Sequence, residues 1–139
     1  MGYPIFLLTI SKFGRIISTV WFNNGELIME KQLLDLETAL ERLGGDKEFL
    51  VELLEELVQQ IDQSLPELKA AVEAQNFDEV RSLAHGMKGA AANLGADQAT
   101  EIFLQLEMMG KNHDLSGAAE ALATAQKLNE ALKERIKSL

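Results

Sequence analysis

The stretch Val80-Arg81-Ser82-Leu83-Ala84-His85-Gly86-Met87-Lys88-Gly89-Ala90-Ala91-Ala92-Asn93-Leu94-Gly95 decides how the chain is read. Give each residue about 100° of helical rotation and put His85 at zero. Leu83, Met87 and Leu94 then fall within roughly 20° of the opposite pole, with Val80, Ala90 and Ala91 flanking them. Arg81, Lys88, Gly89 and Ala92 gather within about 60° of His85. The pattern is an amphipathic helix with an imidazole on its solvent face. Two cations lie one turn away, and few side chains stand beside the ring. A histidine destined for a core is not placed this way.

A neutral imidazole nitrogen is a nucleophile near physiological pH. Lys88, at i+3, is within reach of phosphate oxygens carried on that nitrogen and can offset their charge. Gly86 and Gly89 each cost about 1 kcal/mol relative to Ala in a helix interior. Two such glycines beside one exposed histidine point to clearance rather than helix strength. With Arg81 and Ala92 they outline a shallow surface that a second protein can approach.

Outward from this helix the apolar spacing predicts more helix. Leu36, Leu40 and Leu43 give a short one over residues 34–43, stopped by Gly44-Gly45. Asp46 is a suitable N-cap for a long stripe running from Phe49 through Leu57 and Ile61 to Val72, with Pro66 expected to bend it near Asp62–Pro66. Asn76-Phe77-Asp78 opens the His85 helix, which ends near Gly95. Asp97 is placed as the cap of the next helix, through Ile102, Phe103 and Leu106, closed by Gly110. A loop over 111–117 leads to a last helix over 118–137. Four long helices with short connections predict an all-α, antiparallel, up-down-up-down four-helix bundle, preceded by a short extra helix.

Residues 1–30 do not share the pattern. Tyr3–Ile10 and Arg15–Phe22 have strand composition, and Ser11-Lys12-Phe13-Gly14 and Asn23-Asn24-Gly25 supply turns. Two descriptions fit this extension: a β-hairpin, or residues added by a coding start upstream of Met29. Lys12 and Arg15 interrupt every span long enough to cross a membrane, so no membrane insertion is expected. The domain division is therefore 1–30 as a non-bundle extension and 31–139 as the bundle.

The His85 stretch resembles the signature of histidine-containing phosphotransfer (HPt) domains of two-component phosphorelays, which runs roughly Ala-His-x-Leu-Lys-Gly, then small residues, then Gly-Ala. The corresponding residues are Ala84-His85-Gly86-Met87-Lys88-Gly89, Ala90-Ala91-Ala92-Asn93 and Gly95-Ala96. Leu43-Gly44-Gly45-Asp46 resembles a helix start common in that family, and Leu104-Gln105-Leu106-Glu107 its usual Leu-Glu pair. Met87 stands for the usual Leu, a volume-conserving swap, and Gly86 for a commoner polar residue. The resemblance covers roughly residues 31 to 139. It implies a cytoplasmic phosphocarrier, monomeric, with His85 accepting phosphate and Lys88 stabilising it. The partners implied are response-regulator receiver domains and, upstream, a hybrid histidine kinase. The receiver supplies the aspartate and Mg²⁺, so the carrier needs no cofactor of its own.

Composition narrows the alternatives. A formal net charge of -9 argues against nucleic acid as partner. Residues 1–30 are neutral, so the acidic excess belongs to the bundle. With no cysteine and only two histidines, neither a disulfide nor a transition-metal site is expected, and a reducing compartment fits. His113, in Lys111-Asn112-His113-Asp114, reads as a solvated loop residue, and Asn93, about 80° from His85, as a residue for helix packing or a loop hydrogen bond rather than catalysis. No nucleotide-binding glycine pattern or Ser/His/Asp arrangement is present, and there is no room for a kinase ATP-binding domain. Two function classes remain: a phosphocarrier without autonomous kinase activity, or a non-phosphorylated bundle that binds signalling partners through the same face.

Overall fold

The computed structural model describes residues 20–23, 26–29 and 32–139. The chain divides into two units, Met1–Gln32 and Leu33–Leu139. In the first, β1 (Val20–Asn23) pairs antiparallel with β2 (Glu26–Met29), Asn23 facing Glu26 and Val20 facing Met29. β1 overlaps the end of the expected Arg15–Phe22 strand. Only the end of Arg15–Phe22 is strand among the described residues, and Glu26–Met29 is a strand the composition did not flag. Two residues, Asn24 and Gly25, separate the strands, the dipeptide best suited to a two-residue hairpin. Tyr3–Ile10 and the turn at 11–14 lie outside the described residues.

The second unit holds α1 (Leu36–Arg42), α2 (Lys47–Glu73), α3 (Phe77–Asn93), α4 (Asp97–Lys111) and α5 (Ala118–Lys137). The connectors 74–76, 94–96 and 112–117 are short, which forces antiparallel neighbours. α2 packs on α3 and α5, and α4 packs on the same two, so the four long helices close into a bundle. Three starts are capped by side chains: Asp35 accepts from Thr38 N–H, Asp46 from Phe49 N–H and Asn76 from Glu79 N–H. Pro66 sits inside α2, which runs unbroken from Lys47 to Glu73.

Leu50, Leu54, Leu57, Ile61 and Leu68 of α2 meet Phe103 and Leu106 of α4 and Leu132 of α5 in the core. α3 contributes small groups, Val80, Ala84 and Ala91, all fully buried. One buried polar side chain, Asn129 of α5, donates to the Val58 carbonyl at 3.1 Å and to Asp62 Oδ1 at 2.8 Å across on α2.

Two expectations about α4 are corrected. The N-cap is Ala96, with no capping side chain, and Asp97 is the first helical residue, where its charge favours the helix dipole. Gly110 does not end α4, which continues to Lys111. It is buried instead, and a Cβ on it would lie 2.8 Å from both Arg81 N and Phe77 O of α3. Its missing side chain lets α4 lie against the α3 backbone one turn ahead of His85.

The loop after α3 is fixed from α1. Asp35 N–H donates to the Gly95 carbonyl at 2.7 Å, and Arg42 Nη1 donates to the carbonyls of Ala92 at 2.8 Å and Asn93 at 3.3 Å. Gly95 has φ +73°, and a Cβ there would fall 2.8 Å from Asp35 O. Both facts require glycine.

Candidate functional site around His85

His85 stands mid-way along α3 with 68% of its side chain exposed. Its ring is nevertheless held. Nδ1 lies 2.8 Å from Oε2 of Glu107 on α4. The same carboxylate receives Lys88, whose Nζ is 2.7 Å from Oε1. Glu107 is only 14% exposed and Lys88 27%. Oε1 is closed off from solvent, and the Lys88 ammonium is its ion-pair partner.

This geometry follows from how α3 is seated. The buried residues Val80, Ala84, Met87 and Ala91 centre roughly 50° round from the pole opposite His85, on the α4 side. Ala84, the neighbour of His85, is fully buried, while Leu83 is only half-buried. His85 thus sits at the shoulder of the solvent face, against α4, rather than at its crest. Glu107 occupies the facing position one helix away.

The Lys88 ammonium and, more weakly, the His85 ring hold the Glu107 carboxyl below the usual carboxylate range, outweighing the opposite pull of desolvation. Glu107 is therefore ionised at neutral pH and acts as acceptor. It accepts the hydrogen bond that Nδ1–H donates, fixing the tautomer in which Nε2 carries a free lone pair.

The expected docking residues fall on this face, with different surroundings. Gly86 and Gly89 are exposed, and a Cβ on either would meet nothing within 4 Å. Ala92 is exposed, but its carbonyl is taken by Arg42, which brings α1 to the edge of the surface. Arg81 lines a cleft of about 390 Å³ together with Asp78, Ser82, His85 and Glu107. A larger apolar groove of about 560 Å³ runs between α2 and α5 past Leu65, Pro66 and Leu122 and shares no residue with the site. Size alone does not locate the chemistry.

His113 lies apart, in the α4–α5 loop, stacked on Phe77 with ring centroids 4.4 Å apart. Among the described residues no group of three or more acidic or histidine side chains stands together to hold a metal. The residue that pattern reading passed over is Glu107. Its Leu-Glu pair was visible, but only the seating of α3 against α4 gives the carboxylate its task.

Comparison with known proteins places the chain among relatives of one family. The family model described as the Hpt domain matches residues 52–138. The phosphorelay intermediate protein rdeA of Dictyostelium discoideum is 30% identical over 74 residues, 53% of this chain and 29% of that protein. This chain thus corresponds to less than a third of that relative's length. The crystal structure of histidine-containing phosphotransfer protein B from Pseudomonas aeruginosa PAO1 is similar in fold, with a TM-score of 0.71 at 21% identity, covering 78% of this chain and 95% of that one.

Proposed function

The chain belongs to the Hpt domain family, and from that premise we propose that it carries phosphoryl groups on His85 between the aspartates of receiver domains. The observation that supports this most is the 2.8 Å bond from His85 Nδ1 to Glu107 on a ring that is otherwise open to solvent. It presents Nε2, lone pair outward, to an incoming partner.

The step balances without a cofactor on this chain. Nε2 attacks the phosphorus of an aspartyl phosphate, the Nε2–P bond forms and the O–P bond breaks. The aspartate leaves as a carboxylate. The ring keeps its Nδ1 proton and becomes positively charged, facing the Glu107 carboxylate, which stabilises it. In the reverse step a second receiver's aspartate attacks and Nε2 recovers its lone pair. Mg²⁺ and the other charge-neutralising groups belong to the receiver in this proposal, and no kinase activity is assigned to the carrier.

Lys88 is proposed to offset phosphoryl charge from its place beside the ring. Gly86, Gly89, Ala92 and Arg81 are proposed to form the surface on which the receiver settles, the open space over the two glycines allowing close approach. Incubation with a phosphorylated receiver should give an acid-labile, alkali-stable phosphate on the protein, lost in His85→Gln with the fold intact. Wild-type labelling of His85→Gln overturns the assignment. A fully folded wild type that takes no phosphate from any receiver favours a scaffold.

A further inference from the structure

Resting on the reading of His85 as phosphoacceptor, we propose that His113 is a positioning residue for it. Its ring locks the end of α4 onto the first turn of α3 and so keeps Glu107 aimed at His85. The lock begins in the backbone. His113 N–H donates to the Gly110 carbonyl at 3.2 Å, and Asp114 N–H donates to the Met109 carbonyl at 3.0 Å. With Asn112 as C-cap, these are the paired bonds of a Schellman helix ending. His113 takes its left-handed position, with φ +55°. The matching residues after α1 and α3 are glycines, Gly44 and Gly95, with φ +67° and +73°. A side chain costs stability there that glycine does not. Gln75, after α2, shares that strain, but only at 113 does the side chain stack on another helix.

The ring lies flat on Phe77, with centroids 4.4 Å apart and planes 10° apart. Phe77 is the first residue of α3, so the stack joins the end of one helix to the start of the other. Among the described residues the imidazole makes no hydrogen bond, which leaves the stack to set its place. The contact between α3 and α4 needs such a stop. One turn back, Gly110 lies against α3 where an added Cβ would fall 2.8 Å from Phe77 O and Arg81 N. A glycine lets two backbones approach but offers no side chain to stop them sliding or turning. The bond from Glu107 to His85, at 2.8 Å, tolerates a shift of only a few tenths of an ångström, roughly, before it weakens. Glu107 and the turn before His113 belong to one continuous helix, so fixing its end fixes the carboxylate.

The test reads the ring nitrogens of His85 in the whole unphosphorylated protein by ¹⁵N NMR, their resonances identified by loss in His85→Gln. His113→Gly suits the left-handed backbone and removes the ring, so the fold is kept. It should lower the excess of Nδ1-protonated over Nε2-protonated His85 about threefold, the order of one ring stack. Labelling of His85 by phosphoramidate, a small donor that bypasses receiver docking, should slow by a similar factor. Phe77→Leu should reproduce both changes, and His113→Phe, which keeps the stack, should restore them. A wild-type tautomer ratio in His113→Gly overturns the proposal, as does a loss that His113→Phe fails to restore. A lower melting temperature with the His85 resonances unmoved also overturns it, since a mere structural role would give that result. Labelling of the wild type by phosphoramidate but by no phosphorylated receiver overturns the carrier reading instead, and the tautomer ratio still decides His113.

Discussion

Glu107 binds two neighbours with one carboxylate, and each bond has a separate effect. The Oε2 contact selects the tautomer of His85, and the Oε1 contact immobilises Lys88. Because the Glu107 carboxyl is held below its ordinary value of 4.5, its pairing stabilises the fold fully above that value and is lost as pH falls through the lowered one. Glu107→Gln should therefore cost about 1 kcal/mol near neutral pH, and the gap to wild type should close on acidification below the ordinary carboxylate range. Paired thermal melts across that interval check it; a gap independent of pH removes the charge argument. The same variant should slow phosphate uptake, since Nδ1 loses its charged acceptor. Lys88→Ala should slow transfer by about tenfold and no more, because an exposed, solvent-screened interaction contributes little beyond that. Rapid-quench transfer from a phosphorylated receiver measures it, and a thousandfold loss would place Lys88 at the reacting atoms.

At the level of the helix, α3 was legible in the sequence because its apolar period is unbroken and Asn76 announces its start. Its rotation was not. Periodicity weighs side chains by hydrophobicity, so Leu83 and Leu94 pulled the computed pole away from α4. Packing weighs them by fit, and Ala84 and Ala91 allow the closer approach. That difference hid the pairing of Glu107 with His85. Gly110 was misread for a related reason: a glycine near a helix end looks like a stop, and only the facing backbone reveals a contact. Gly110→Ala should cost about 1–3 kcal/mol by overpacking and shift α4 against α3, weakening the Glu107 bonds. A melt, with the His85 ring titration alongside, reads both effects; an unchanged melt would show that the crossing has slack. Gly89→Ala should instead add up to about 1 kcal/mol of helix stability, since its Cβ would point into open space. Gly89→Leu should hold the fold while receiver-dependent phosphotransfer falls. Transfer unaffected by the leucine would move docking to another face.

Across the molecule, the four-helix order could be read from stripe lengths, and the starts of α2 and α3 from their capping residues, because there local signals and global packing agree. The bond from Arg42 to the Ala92 and Asn93 carbonyls could not, since it joins residues whose proximity no local pattern encodes. That bond has a dynamic consequence. The short helix α1 latches the last turn of α3 and the Gly95 loop, so opening of this end is tied to detachment of α1 rather than to unfolding of the bundle. Amide hydrogen exchange should reveal two tiers. The N–H groups of Leu94, Gly95 and Ala96 should exchange early and together with those of α1, while Leu54 and Leu106 exchange only through global unfolding. Arg42→Ala should speed the first tier and leave the second untouched. One tier in the wild type would mean that the latch and the bundle open as one. With two, the edge of the proposed receiver surface breathes on its own clock, beside a histidine whose mounting stays still.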